Sequence, residues 1–335
     1  MTDLSEMMPP AAALDRNLAL EVVRVTEASA LAAARWIGRG DEKAADEAAS
    51  LAMRRALNAL AMEGTIVNGE SDDPERLLHT GEQVGTGQGP QVDIVLLALE
   101  GQTICAKGSH NALSVVALTQ GGAFLKVPAR AYMDKIASGP GLPPGILDLD
   151  LPPGEVLGRV AQAKGVAVSD LDVCILDRPR NADLIGRLYE TGARVILIDD
   201  GDVSGVLAAG LPDTGIDLYM GSGGAPEGVL AAAGLKCLGG QMQCRFLVRN
   251  DDERAECRRF GIEDFDRKYD VEDLVGGDVM FATTGITDGP VLQGVRLVPP
   301  DRAVSHSLVM RSVTGTLRLL TAHHDFAKSA THRPR

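Results

Sequence analysis

Between residues 172 and 238, short apolar runs alternate with helical segments at a spacing that leaves few architectures open. Residues 172–177 (DVCILD) read as a buried strand and 181–191 as a helix. A strand at 194–199, a helix at 202–209, a strand at 217–220 and a helix at 227–238 follow. Such alternation predicts an α/β fold built on a mostly parallel sheet. Functional groups in that arrangement gather where strands end and helices begin.

The first half is less regular. Ala, Leu and Val recur at helical spacing over 17–37, Gly38-Arg39-Gly40-Asp41 breaks the pattern, and a second helix is expected over 42–62. GTIVNGE (64–70) reads as a strand. The polar stretch 71–89 reads as a loop with at most a short helical turn, and 92–100 as a buried strand. Further strands are expected at 113–119 and 123–127. The run GPGLPPGILDLDLPPG (139–154) is the richest in Pro and Gly and marks the expected domain boundary. The resulting division is a loose tail (1–14), a metal-site α/β domain (15–150), a substrate-binding α/β domain (151–325) and a disordered tail (326–335).

A chain of 335 residues with 45% hydrophobic content can bury a sizeable core, and with 3% aromatics that core is aliphatic. A net charge of −13 argues against a nucleic-acid or anionic membrane partner, which needs a basic footprint. A small anion needs only a local patch. Cys105, Cys174, Cys237, Cys244 and Cys257 form no CxxC pair, the first residues carry no apolar signal segment, and no apolar run approaches a membrane span. These features predict a cytoplasmic protein with reduced thiols.

Four acids stand where strands end or helices open. Asp46 lies early in the second helix, and Glu70 and Glu100 close the strands at 64–70 and 92–100. Glu227 follows Gly221-Ser222-Gly223-Gly224-Ala225-Pro226. Carboxylates on rigid strand ends beside glycines suit a hard divalent ion. Taken singly, acids at helix starts are ordinary dipole-favoured surface groups. A dinucleotide reading of GSGGAPEG is disfavoured, because Glu227 would place a negative charge where a pyrophosphate binds.

Several segments in order resemble the class II fructose-1,6-bisphosphatases of the lithium-sensitive phosphatase fold group. They are 24–49 (with GRGDEKAAD), GTIVNGE, GEQVGTG (81–87), VDI (92–94), NAL (111–113), RPR (178–180), DDGDV (199–203), GGAPEGV (223–229) and FATTGITDG (281–289). The resemblance implies a layered α/β/α sandwich of the sugar-phosphatase type. It implies hydrolysis of the 1-phosphate of fructose 1,6-bisphosphate, and of sedoheptulose 1,7-bisphosphate as a second substrate, by attack of water on phosphorus assisted by Mn²⁺ or Mg²⁺. It also implies a homo-oligomer, dimer or tetramer, serving gluconeogenic carbohydrate metabolism. Metal carboxylates carry over to Asp46, Glu70, Glu100 and Glu227, with Glu70, Glu100 and position 102 in the catalytic set. Substrate contacts carry over to Gly101, Gln102, Tyr132, Arg178, Pro179, Arg180, Asp200, Gly201, Asp202 and Gly224. Forked Arg178 and Arg180 donors suit a phosphate, and Asp200 and Asp202 suit sugar hydroxyls.

The family strand reads Asp-Pro-x-Glu-Gly-Thr, and here it reads Leu97-Ala98-Leu99-Glu100-Gly101-Gln102. A bridging carboxylate is replaced by Leu97 and a water-orienting hydroxyl by Gln102. The acidic loop after Glu70 is altered to Ser71-Asp72-Asp73, and a lysine before Pro-Arg is Arg178. Asp93, about 13 Å from position 97 at ~3.3 Å per strand residue, is too far to substitute. Asp72 or Asp73 would require a new geometry. The departures set a second expectation beside hydrolysis: a homologue that binds a sugar phosphate, or serves as a regulatory or structural partner, without turnover.

Overall fold

The computed structural model describes residues 18–331. Helices α1 (Leu18–Ala33) and α2 (Glu42–Leu57) open the fold, and the Asp41 carboxylate accepts the Ala44 N–H at 2.9 Å to start α2. Both helices end earlier than the apolar pattern predicts. A 3-10 turn takes over at Ala34–Trp36, and turns follow Leu57. Next come β1 (Glu63–Asn68), β2 (Gln83–Val84), β3 (Gln91–Glu100), α3 (Gln102–Lys107) and β4 (Leu113–Gln120). The stretch read as loop therefore contains a two-residue strand, β2, paired antiparallel to β1. Residues 123–127 form no strand. Only Phe124 makes a bridge, to Val275.

The chain then builds a second sheet from β5 (Tyr132–Ser138), β6 (Asp172–Leu176), β7 (Arg194–Ile198), β8 (Leu218–Gly224), β9 (Gln241–Leu247) and β10 (Tyr269–Asp270). Its order is β10-β9-β5-β8-β6-β7. Between these strands lie α4 (Pro153–Lys164), α5 (Ala182–Glu190), α6 (Asp202–Gly210), α7 (Ala225–Leu238), α8 (Asp251–Arg259) and α9 (Val271–Leu274). The mostly parallel sheet expected from the alternation is a mixed one. β6 pairs parallel to β7 and β8, but β5 lies antiparallel to both β8 and β9. The reason is β5, a strand the sequence reading missed, which inserts beside β8.

Finally β11 (Val279–Gly285), β12 (Arg296–Val298), β13 (Arg302–Arg311) and β14 (Thr316–Asp325) rejoin the first sheet, which runs β12-β13-β11-β4-β3-β1-β2 with β14 on β13. Sheet membership changes after β4 and again at β11, rather than at the Pro/Gly stretch 139–154, which joins β5 to α4 within the second sheet's layer. Residues 326–331, expected as tail, form α10 (Phe326–Thr331), while the expected tail 1–14 lies outside the described residues.

Strand alternation assigns the layers. Ile94, Leu96 and Ala98 of β3 face α1 and α2 through one buried cluster, while Val95 and the half-buried Leu97 face α6 and α7 through another. The same central cluster takes Met133, Cys174 and Tyr219 from the second sheet, and α4 and α5 cover that sheet's outer face through Val156, Leu157 and Leu188. The order is helices, sheet, helices, sheet, helices, so the α/β/α sandwich motif occurs twice and shares its middle layer. Every residue of α6 is buried, as a helix enclosed on all sides requires. Gly234 of α7 allows this closeness, because a Cβ there would meet Leu207 at 2.5 Å. Among the described residues no helix is long and apolar enough to cross a membrane.

Candidate active site

The layering sets where the acids go. β1 and β3 run parallel, so their C-terminal ends bring Glu70 and Glu100 to the same end of the first sheet. Asp46 reaches that end from α2, and Glu227, the third residue of α7, reaches it from the central layer. Glu70 Oε1 accepts the Ala98 N–H at 2.6 Å. Burial first, then the charge of Asp46, pushes the Glu70 carboxyl up to about 8, and Glu227 adds to the rise. Burial also raises Glu227, opposed by Lys135, and raises Glu100 well above the ordinary range, with Asp202, Asp200 and Glu227 contributing. Like charges gathered with little water disfavour ionisation. The acids thus form one coupled row from Asp46 through Glu70 and Glu227 to Glu100.

Local hydrogen bonds already engage much of that row. Glu100 accepts the Val203 N–H at 2.5 Å and the Ser204 N–H at 3.2 Å, so both its oxygens cap the N-terminus of α6. Gln102 opens α3 after Gly101, whose φ of 86° needs glycine, and its amide donates to Asp46 at 2.7 Å. Leu97 packs its side chain into the central apolar cluster. Asp72 accepts the Ala129 N–H at 2.8 Å and Asp73 the Glu75 N–H at 3.0 Å, so each is held by its own surroundings. Asp93 accepts from Gly122 at 2.6 Å. Among the described residues, no three His, Cys, Asp or Glu side chains are grouped to hold a metal ion. As arranged, the acids do not fit a pair of divalent ions. Three of the four, Asp46, Glu70 and Glu100, already accept from amide donors.

Beside the row opens a cleft of about 620 Å³, lined by Arg130, Tyr132, Arg178, Arg180, Asp200, Asp202, Gly223, Gly224, Glu227, Arg249, Glu253 and Glu256, with Ala129, Ala131 and Leu176. Of the expected substrate contacts it gathers Tyr132, Arg178, Arg180, Asp200, Asp202 and Gly224. Pro179 starts the 3-10 turn between the two arginines, and Gly201 caps α6 with a φ of 94°. Asp46, Glu70 and Glu100 do not line this cleft, and Glu227 is the acid shared with the row. Arg178 lies 3.6 Å from Asp200, Arg180 donates to the Ser222 carbonyl at 2.8 Å, and Arg130 makes no ion pair among the described residues. Gly224 has a steric reason to be glycine: a Cβ would run into the Glu227 carboxylate folded over it.

One buried group here escaped the sequence reading. Lys135, 1% exposed in the middle of β5, donates to Asp202 and, at 2.6 Å, to the Gly224 carbonyl. Asp202 also accepts the Tyr219 hydroxyl, whose pKa burial raises well above its ordinary value. A cleft carboxylate is thereby fixed from below by an ammonium and a phenol. The only signal in the sequence was a lysine inside the apolar run YMDKIAS.

A family model described as bacterial, glpX-encoded fructose-1,6-bisphosphatase matches residues 16–324. The chain belongs to that family. It is 40% identical over 337 residues, covering 93% of this chain and 96% of the relative, to a protein of Synechococcus sp. (strain JA-3-3Ab) named D-fructose 1,6-bisphosphatase class 2/sedoheptulose 1,7-bisphosphatase. A fructose-1,6-bisphosphatase class 2 of Haemophilus influenzae is 40% identical over 326 residues, covering 93% of this chain and 97% of the relative. This family of fructose-1,6-bisphosphatases, phosphoric monoester hydrolases, thus extends over β1 to β14 and includes both walls of the cleft. Neither Leu97 nor Gln102 lines the cleft, and Gln102 meets the row at Asp46.

Proposed function

We propose that this chain binds a fructose 1,6- or sedoheptulose 1,7-bisphosphate in the arginine-lined cleft and hydrolyses its 1-phosphate slowly. The observation that carries the reading is one cleft lined by four guanidiniums, those of Arg130, Arg178, Arg180 and Arg249, together with the carboxylates of Asp200 and Asp202. A phosphate dianion meets the forked donors of Arg178 and Arg180, and sugar hydroxyls meet Asp200 and Asp202. Lys135 and Tyr219 hold Asp202 in place, so the acceptor is oriented before the sugar arrives.

Slowness follows from the row. Hydrolysis in this family is expected to draw on divalent ions, and here Leu97 supplies no ligand, Gln102 holds Asp46, and Glu100 is tied to α6. The same contacts favour a second reading, in which the chain binds the sugar phosphate and does not turn it over. Calorimetric titration with fructose 1,6-bisphosphate, paired with phosphate release in Mn²⁺ and Mg²⁺, tests both. Binding within ~1 μM to 1 mM with turnover far below the ~10 s⁻¹ common among enzymes is expected. Absence of binding in that range refutes the proposal, turnover near the common rate refutes the slow reaction, and binding with no phosphate release selects the second reading.

A further inference from the structure

Carboxylates brought together out of water need donors or counter-charge close by. Each acid of the row finds them in the chain itself. The Gln102 side-chain amide donates to Asp46 Oδ1 at 2.7 Å, and the Ala98 N–H to Glu70 Oε1 at 2.6 Å. The Val203 and Ser204 N–H groups reach both oxygens of Glu100, at 2.5 and 3.2 Å, where the opening of α6 adds its own positive end. Three elements, β3, α3 and α6, thus serve the row at once.

Glu227, the fourth acid, has a resident cation. Its carboxylate lies over Gly224, where a Cβ would stand 2.0 Å from one of its oxygens. The Gly224 carbonyl takes the Lys135 ammonium at 2.6 Å, and a Cβ on Gly228 would stand 3.1 Å from the Lys135 Cε. Lys135 therefore packs against the residues on both sides of Glu227. Burial raises the Glu227 carboxyl, and the Lys135 charge is the first influence to oppose that rise. An ion can leave such a place, but a lysine held in the middle of a buried strand cannot. A two-ion site draws carboxylate oxygens for both ions from the same few acids. Among the described residues, the donors leave one oxygen on Asp46 and one on Glu70 without a partner, and none on Glu100.

We propose that the row is neutralised by the chain's own donors and by Lys135, so that this protein binds its sugar phosphate without a divalent ion, and that Gln102 is the residue that closes the row to one. The inference rests on the reading of the cleft as a sugar-bisphosphate site and changes what that site requires. The ligand's dianions meet guanidiniums already in place, and no ion has to arrive with them. Gln102 can close the row because of its length. Its amide nitrogen sits two carbons beyond Cβ, whereas a threonine, the family residue here, carries its hydroxyl on Cβ itself and stops short of Asp46.

The test is calorimetry of wild type with fructose 1,6-bisphosphate in chelator and in Mn²⁺, corrected for ion bound by the free sugar phosphate. The electron paramagnetic resonance signal of free Mn²⁺ is read beside it at equimolar protein. The two affinities are expected to differ by less than about twofold, with the free-ion signal undiminished. Leu97→Asp with Gln102→Thr supplies a carboxylate and withdraws the amide from Asp46. It is expected to take up Mn²⁺ and to bind the sugar phosphate at least about tenfold more tightly with the ion than in chelator. Gln102→Ala, which only shortens a half-buried side chain at the start of α3, is the second variant and is expected to take up Mn²⁺ more weakly than the first. Tightening of wild type beyond about twofold in Mn²⁺, or loss of its free-ion signal, overturns the inference and leaves the cleft's function standing. Mn²⁺ uptake by neither variant overturns the part given to Gln102. Wild type that binds the sugar phosphate in neither buffer overturns the reading of the cleft and this inference with it.

Discussion

The Glu70 carboxyl offers a quantitative handle on the acid row. Its pKa is raised from the ordinary 4.5 to about 8, first by burial and then by Asp46, with the Ala98 N–H opposing. A raised folded-state value means that folding holds a proton the unfolded chain releases. That contribution is fully present below about pH 4.5 and is lost as pH rises through about 8. Each pH unit across the window costs about 1.36 kcal/mol, so ionisation of this one group removes on the order of 4 kcal/mol of stability between pH 5 and 8. Glu70→Gln keeps an acceptor for the Ala98 amide and removes the titration. Urea unfolding of both proteins in chelator, from pH 5 to 8.5, is expected to show the variant gaining on wild type throughout that range and levelling off above it. Added Mn²⁺ should narrow the gap if an ion can still neutralise the row. Parallel pH profiles in chelator would refute the claim that Glu70 is held neutral by enclosure and like charge.

Three other perturbations follow from contacts described above. The double change Leu97→Asp with Gln102→Thr restores a carboxylate and a hydroxyl and frees Asp46. It should raise Mn²⁺- or Mg²⁺-dependent phosphate release at least about tenfold, roughly 1.4 kcal/mol of barrier, and a wild type already fast with no gain in the variant would sink the reading of these positions as lesions. Gly224→Ala drives a methyl into the Glu227 carboxylate and should cost ~1–3 kcal/mol in urea unfolding, whereas an unchanged midpoint would show that the carboxylate has room to move. Lys135→Met leaves Asp202 buried beside Tyr219 without its cation and should cost ~3–5 kcal/mol, most of it recovered when Asp202→Asn is added; failure of the second change to recover stability would deny the pairing.

The sequence exposed the fold where local pattern and burial agree. β3 and α7 were legible because a continuous apolar run means enclosure on both faces. β5 was not, because its run YMDKIAS is interrupted by Asp134 and Lys135, and only the tertiary partners Ser222 and Asp202 make those charges tolerable in a central strand. The mixed pairing of the second sheet was hidden for the same reason. At the site, the acids and the Arg-Pro-Arg turn could be read from strand ends and from the family pattern. What the acids do with their oxygens could not. That Glu100 caps α6 and that Gln102 grips Asp46 depends on helix starts 100 residues away or on a facing helix, which no local window contains. Arg249 gave no signal either, since an arginine before a helix cap is an ordinary surface residue until Tyr132 is known to lie beneath it.

The whole second sheet is inserted between β4 and β11, which are themselves hydrogen-bonded neighbours with Thr119 opposite Val279. In chain terms it is an excursion from one hairpin. Arg130, Arg178, Arg180 and Arg249 all lie on the excursion, while Asp46, Glu70, Leu97, Glu100 and Gln102 all lie on the body it departs from. The cleft arginines and most of the acid row are therefore written on different stretches of one chain, and Glu227, on α7 of the excursion, is the acid that joins them. Substitutions in β3 and α3, at positions such as 97 and 102, therefore fall outside the stretch that carries the cleft arginines.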